Sequence, residues 1–249
     1  MKKLILCVAL LLVPALVFAG DKSKDKDKTG KDKKATVDSG SFGIFVGGKR
    51  IGTEKFSVDQ QGDEAVVIAE ISVQDGNVKS EQNSELRIAA DGSLKSYKWH
   101  SIQPSKEEFT IEPKDQLLIE HLITAEQRRQ EIPFVLPIST VILDDNFFSH
   151  RELLIWRYLA TGCAPQNGQL QCKPSHFGIL IPHQQNSGTT SVELIGRDKI
   201  NYKGSERELN KMKIDTAGAQ WLIWVDDPEN HYKVLKMTVP STNIEIIRD

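Results

Sequence analysis

The chain has 249 residues, with 32 Lys and Arg against 34 Asp and Glu (a formal charge of −2) and 39% hydrophobic residues. That is enough length and apolar content to bury a sizeable core, and it excludes a wholly disordered chain. Nine Lys against four Asp lie before residue 35, so the remainder is acidic, which argues against nucleic acid as a partner.

At the start, Lys2 and Lys3 precede an apolar run from Leu4 to Phe18, and Val17-Phe18-Ala19 supplies a cleavage pattern. Residues 1–19 therefore read as an export signal cut after Ala19, and the expected location is periplasmic or secreted. The run is shorter than the roughly 20 apolar residues of a membrane span, so no transmembrane anchor is expected after cleavage. Cys7 lies inside the run rather than at the cut, which leaves no lipid-anchoring cysteine. Residues 20–38 read as a Lys/Asp-rich leader. From Asp21 to Lys34 it holds no apolar residue to offset its ordering entropy, so a disordered, solvated spacer is expected. A single β-rich domain is expected over 39–249.

Within that domain, short alternating runs are separated by turn residues, the pattern of an antiparallel meander. Phe42, Ile44 and Val46 alternate up to Gly47-Gly48, and a return strand runs from Arg50 to about Asp59. Ala65 to Val73 alternates cleanly until Asp75-Gly76-Asn77. A further strand reaches Ala90, and Asp91-Gly92 turns into Leu94 to Ile102. Shorter strands are expected near Glu107 to Ile111 and Leu117 to Ala125. Later in the chain, strands are expected at Phe177 to Ile181, Thr190 to Ile195, Glu206 to Asp215, Trp221 to Val225, Leu235 to Val239 and Ile244 to Ile246. The polar run Glu206 to Asp215 suits an edge strand or one wetted on both faces. Trp221 to Val225, apolar on both faces, suits a place between layers.

One helix interrupts the series. Ser149-His150-Arg151-Glu152 matches a capping box, Phe148 and Leu153 have the spacing of a hydrophobic staple, and Thr161-Gly162 offers a left-handed stop. The stretch Leu153 to Ala160 is apolar nearly all round, so the helix should be buried. The fold class that follows is mainly β: a large antiparallel twisted sheet, or unclosed β-barrel, wrapped around one buried mid-chain helix. Cys163 and Cys172, the two cysteines left once Cys7 is removed, flank a short loop and are expected to form a disulfide in an oxidising compartment.

The opening hairpin Ser41-Phe42-Gly43-Ile44-Phe45-Val46-Gly47-Gly48-Lys49-Arg50-Ile51-Gly52, with Glu54 after it, leads the long meander. The mid-chain helix and Trp224-Val225-Asp226-Asp227 complete a layout that resembles uncharacterised exported bacterial envelope families related to the LolA/LolB lipoprotein-carrier fold. The resemblance implies an unclosed barrel with a helix at its mouth and a concave apolar interior able to hold an acyl chain. It brings no catalytic residues.

No signature of chemistry accompanies this architecture. There is no Gly-x-Ser-x-Gly elbow, P-loop, His-Glu-x-x-His helix or dinucleotide fingerprint. His176 and His183 fall on opposite faces by period two, and His150 with Glu152 is better explained by the helix start. Asp144-Asp145 and Asp226-Asp227 sit where turns and helix starts favour Asp. No catalytic residue, metal site or cofactor is expected. Phe148, Trp156, Tyr158, Trp99, Trp221 and Trp224 are the candidate cavity wall, although large aromatics equally fill a solid core. The leading expectation is a non-catalytic binding or carrier protein for a lipid-like or lipoprotein envelope component. The alternatives are an envelope scaffold that binds protein partners through a sheet edge and, behind it, an enzyme with an unfamiliar site.

Overall fold

The computed structural model describes residues 34–166, 169–216 and 218–249; the expected export signal and the leader up to residue 33 lie outside them. The first meander comprises β1 (Lys34–Val46), β2 (Lys49–Gln61), β3 (Glu64–Asp75), β4 (Val78–Ala89), β5 (Leu94–Gln103), β6 (Glu108–Lys114), β7 (Leu117–Ile123) and β8 (Arg129–Phe134). A short strand, β9 (Val141–Ile142), leads into the helix α1 (Ser149–Gly162). The hairpin β10 (Cys163–Gln166) and β11 (Gln169–Cys172) follows. The second meander is β12 (Ser175–Ile181), β13 (Asn186–Tyr202), β14 (Ser205–Thr216), β15 (Ala219–Val225), β16 (Val234–Val239) and β17 (Ile244–Arg248).

Each meander pairs its strands consecutively and antiparallel, and β1 joins β17, with Ile44 opposite Ile246. Among the described residues this makes a 15-stranded sheet running from β8 to β9, in which β9 is added parallel to β12. The sheet is twisted and does not close. The connection between β8 and β9 returns to β5, where the Leu94 N–H donates to the Ile138 carbonyl at 2.7 Å. The alternation that builds it is visible in β2, where Phe56 and Val58 face inward, and Phe42 of β1 stacks on Phe56 at 4.9 Å. Gly47 and Gly48 both have positive φ, which lets β1 reverse into β2 in a tight turn.

Three expectations about the strands change in the structure. The first strand begins at Lys34, ahead of the expected domain start at Ser39, because Asp38 is buried and holds Arg248 at 2.7 Å. β14 is not an edge: it lies between β13 and β15, with Met212 and Ile214 fully buried. Its polar residues form cross-strand pairs on the outer face, Lys211 with Asp198 at 2.9 Å and Lys213 with Glu193 at 2.7 Å. β13 continues past Ile195 to Tyr202 through a bulge between Leu194 and Gly196.

The helix lies against the concave face of the sheet, with Leu154, Ile155, Tyr158 and Leu159 buried. Each such side chain contributes on the order of 1.5–3 kcal/mol by leaving water. The capping box is not formed. Phe148 occupies the N-cap without a side-chain hydrogen bond, and the Ser149 hydroxyl is buried without a partner. The cap comes instead from β2, where the Glu54 carboxylate accepts the Phe148 N–H at 2.6 Å and the Ser149 N–H at 3.1 Å. A helix end sealed from water needs acceptors for its free N–H groups, and a carboxylate also complements the positive end of the helix. Glu152 accepts the Val234 N–H at 2.9 Å and pairs with Arg248 at 3.1 Å. Arg248 and Lys233 both reach Asp38, so α1, β1 and β17 share one buried ionic cluster. At the other end, Gly162 is not left-handed. A Cβ there would sit 2.7 Å from the Ser175 hydroxyl and 3.0 Å from the Tyr158 ring, so close packing selects the glycine.

Burial pushes the Glu54 carboxyl up to about 7, against the N–H groups of Phe148 and Ser149 and the Arg151 charge. An acid whose folded pKa exceeds its unfolded value near 4.5 keeps its proton longer in the native state. Its stabilising contribution is full below about pH 4.5 and is lost as the pH rises through 7. Denaturant titrations across this window should show a decline in wild type that exceeds that of Glu54→Gln by roughly 3 kcal/mol. Equal slopes in the two proteins would refute the assignment.

Cys163 and Cys172 are disulfide-bonded and lie opposite each other in the β10–β11 hairpin, outside the large sheet. Replacing both by Ser should cost about 2–3 kcal/mol by the chain-entropy relation and leave the circular dichroism of the sheet unchanged. A loss of β signal at ambient temperature would show that the hairpin supports the whole fold.

Candidate functional site: an apolar cavity beneath the helix

One face of α1 carries His150, Leu153, Leu154, Arg157 and Thr161, the spacing of a single helical stripe. Opposite it stand Val58 of β2, Leu86 and Ile88 of β4, Leu94 of β5 and Ile142 of β9. Between them is a cavity of about 400 Å³ with predominantly apolar walls. From His150 to Thr161 the helix rises about 16 Å, which sets the length of the space. Of its lining residues, His150 is fully buried, whereas Val37, Ala90, Asp91, Ala160 and Thr161 are exposed and open the cavity to solvent. The space exists because small residues stand where a filled core would place large ones: Ala65, Ala89, Ala90, Gly92 and Ala160 all line it.

The polar lining residues are Gln60, Asp91, Thr140, His150, Arg157 and Thr161. The His150 Nδ1 accepts the Asp144 N–H at 3.3 Å, so the ring proton belongs on Nε2. Burial pushes the His150 pKa down to about 4, with the Asp144 charge opposing and Arg151 and His183 adding, so the imidazole is neutral at physiological pH. At the mouth the Arg157 guanidinium donates to the Gly92 and Ser139 carbonyls at 3.3 and 3.1 Å. Thr140, also in the wall, has a buried hydroxyl.

Of the six aromatic residues expected to form the wall, Trp156 lines the cavity and donates its Nε1–H to the Tyr232 carbonyl at 3.1 Å. The structure distributes the other five elsewhere. Trp99 stacks on Phe109 at 5.0 Å and donates to Gln82. Trp221 carries the Arg151 guanidinium on its face at 4.0 Å, with Phe148 beside it at 6.1 Å. The Tyr158 hydroxyl accepts the Leu194 N–H at 3.0 Å. Trp224 belongs to a separate cluster with Leu209 and Leu235, and Lys211 and Lys236 lie over its ring. That arrangement covers the apolar outer face of β15 with lysine stems rather than a second layer. Large rings fill volume, so the hollow lies where most of them are absent. The sequence signal for it is the set of small residues, Ala89-Ala90 and Ala160 among them.

A second polar cluster lies beside the cavity. The His183 Nδ1 is 3.0 Å from the Asp144 carboxylate, which also accepts the Tyr97 hydroxyl at 2.5 Å and the Asn146 N–H at 2.8 Å. Glu120 is buried nearby, and burial pushes its carboxyl up to about 7 despite the His183 charge. Asp144 thereby ties the segment before α1 to β5 and to the turn after β12, and none of Asp144, His183 and Glu120 lines the cavity.

No family model and no curated protein matches the sequence. Among solved structures, the chain is similar to the crystal structure of a β-barrel-like protein of a domain of unknown function, DUF1849, from Brucella abortus. The two share 10% identity with a TM-score of 0.52, over 85% of this chain and 94% of that one. At that identity the likeness is one of fold, and it supports an open β-barrel-like architecture for this protein.

Proposed function

We propose that this protein is a non-catalytic binding or carrier protein that takes an acyl chain or similar apolar guest beneath α1. The observation that carries this reading is the cavity itself, about 400 Å³ with predominantly apolar walls. Ligand sites of this kind fall in the range of roughly 300–1,000 Å³ with a few polar groups for orientation. A guest burying about 200 Å² of apolar surface would gain ~5 kcal/mol from leaving water. The sequence pattern of residues 1–19, read as an export signal, supports a role in the cell envelope or outside the cell, where lipids and lipoproteins need shielding in transit. The layout-level resemblance to lipoprotein carriers points the same way.

A scaffold role is favoured by a different observation. β8 is an edge of the sheet, and Val135 directly after it is 86% exposed. An extended partner strand could add there.

Native mass spectrometry of mature protein purified from a bacterial periplasm, followed by lipid extraction, separates these readings. A co-purified acyl species near one equivalent is expected. Its loss in Ala65→Trp, which fills the cavity from β3, should accompany an unchanged circular dichroism spectrum. A clean apo mass with no uptake of added lipid would overturn the carrier reading.

A further inference from the structure

Arginines elsewhere in this chain are neutralised by carboxylates: Arg151 by Asp145 at 3.3 Å, Arg197 by Asp227 at 2.8 Å and Arg248 by Asp38 at 2.7 Å. Arg157 is different. It lines the cavity, its acceptors are two neutral backbone carbonyls, and it forms no ion pair among the described residues. An apolar wall has thus kept a guanidinium, a group that stays charged at any physiological pH, with its charge uncancelled.

The group is also held in a defined pose. Both hydrogen bonds leave from Nη1, to Gly92 at 3.3 Å and Ser139 at 3.1 Å. The guanidinium lies against Gly92, where an added Cβ would meet its Cζ at 3.3 Å and its Nε at 3.5 Å. The Phe177 ring lies 5.6 Å from Cζ. The remaining edge, Nε with Nη2, is accessible and has no partner among the described residues. Those two atoms present parallel N–H donors, the fork that a carboxylate or phosphate accepts in bidentate form. Asp91, the carboxylate of the lining, is exposed and accepts the Ser93 N–H at 2.8 Å, with Lys95 near it. Its charge is therefore screened by solvent and by its own turn.

Position sets the orientation of a guest. Arg157 stands one helical turn before Thr161, where the wall opens to solvent, while Val58, Leu86, Ile142 and Leu154 in the same wall are buried. An anion among those four would lose its water with no compensating charge, whereas a hydrocarbon tail there gains by leaving water. We infer that the guest is a single-chain amphiphile with an anionic head, a carboxylate or phosphate, bound by the Nε and Nη2 edge of Arg157 with its tail among the buried lining residues. This rests on the carrier reading and adds the class of guest and its direction.

The test uses mature protein and three probes of one chain length, dodecanoate, dodecyl phosphate and dodecanol, each competed against a fluorescent apolar dye. Arg157→Gln should weaken the preferred anion about tenfold and leave dodecanol unchanged, in line with the loss of a charge-assisted pair. Arg157→Lys, which keeps the charge without the fork, should retain part of the affinity. Whichever anion binds more tightly to wild type identifies the head group. Because Arg157 also holds the Gly92 and Ser139 carbonyls, the wild-type protein supplies a separate readout. With ¹⁵N-arginine labelling, the Arg157 Nε–H resonance should shift with the preferred anion and stay in place with dodecanol. An equal response of anions and alcohol to Arg157→Gln, or a resonance that the bound anion leaves unmoved, overturns the role of Arg157 and spares the carrier reading. Failure of all three probes to bind overturns the two together.

Discussion

A helix whose first turn is sealed among β-strands must find partners for N–H groups that water would otherwise satisfy, and this fold is organised around that requirement. Glu54 meets it from β2, giving both carboxylate oxygens to the Phe148 and Ser149 amides. One turn further, Glu152 ties the same helix to Arg248, which is itself held by Asp38. Burial and the Asp38 charge push the Glu152 carboxyl up while Arg248 pulls it down. The first described strand, the helix and the last strand are thus joined through a few charged side chains in a place where an unpaired charge would be costly. Such a cluster adds little net stability over well-packed apolar residues, but it sets where the helix lies and in what orientation.

The position of the helix then determines the cavity. With its N-terminal turn pinned by Glu54, the stripe from His150 to Thr161 faces β2, β4 and β5 at a level where the wall carries alanine and glycine. The remaining faces of the helix are packed densely, Tyr158 against β13 and Arg151 against Trp221. Filled core and hollow therefore coexist along one helix, separated by side-chain size. The same arrangement leaves His150 in the buried first turn and brings Arg157 to the loop at Gly92, beside Asp91.

Much of this architecture was legible in the residues. Alternation with Gly and Asx turns marked most of the strands, the apolar run from Leu153 marked a buried helix, and Cys163 and Cys172 marked a disulfide that the structure contains. The misreadings share one cause. Ser149 to Glu152 matches a local capping motif, but Glu54 and Arg248, the partners actually used, are 94 and 96 residues distant in sequence from the groups they bind. β14 looked like an edge or a strand wetted on both faces because it is mostly polar, and the cross-strand carboxylates that pair with Lys211 and Lys213 belong to β13. The cavity wall was sought among aromatic residues, whereas small ones create it.

What the sequence determined by itself was periodicity: where strands alternate, where the chain turns, where one helix is too apolar to face water. These are properties of neighbouring residues, and backbone sterics and side-chain spacing translate them directly into elements. What only the tertiary structure decided was which carboxylate caps the helix, which strands become interior and where volume is left empty. Those outcomes depend on side chains brought together from distant elements, and an unfilled space or an unmet donor is defined by the sum of its neighbours rather than by any stretch of chain.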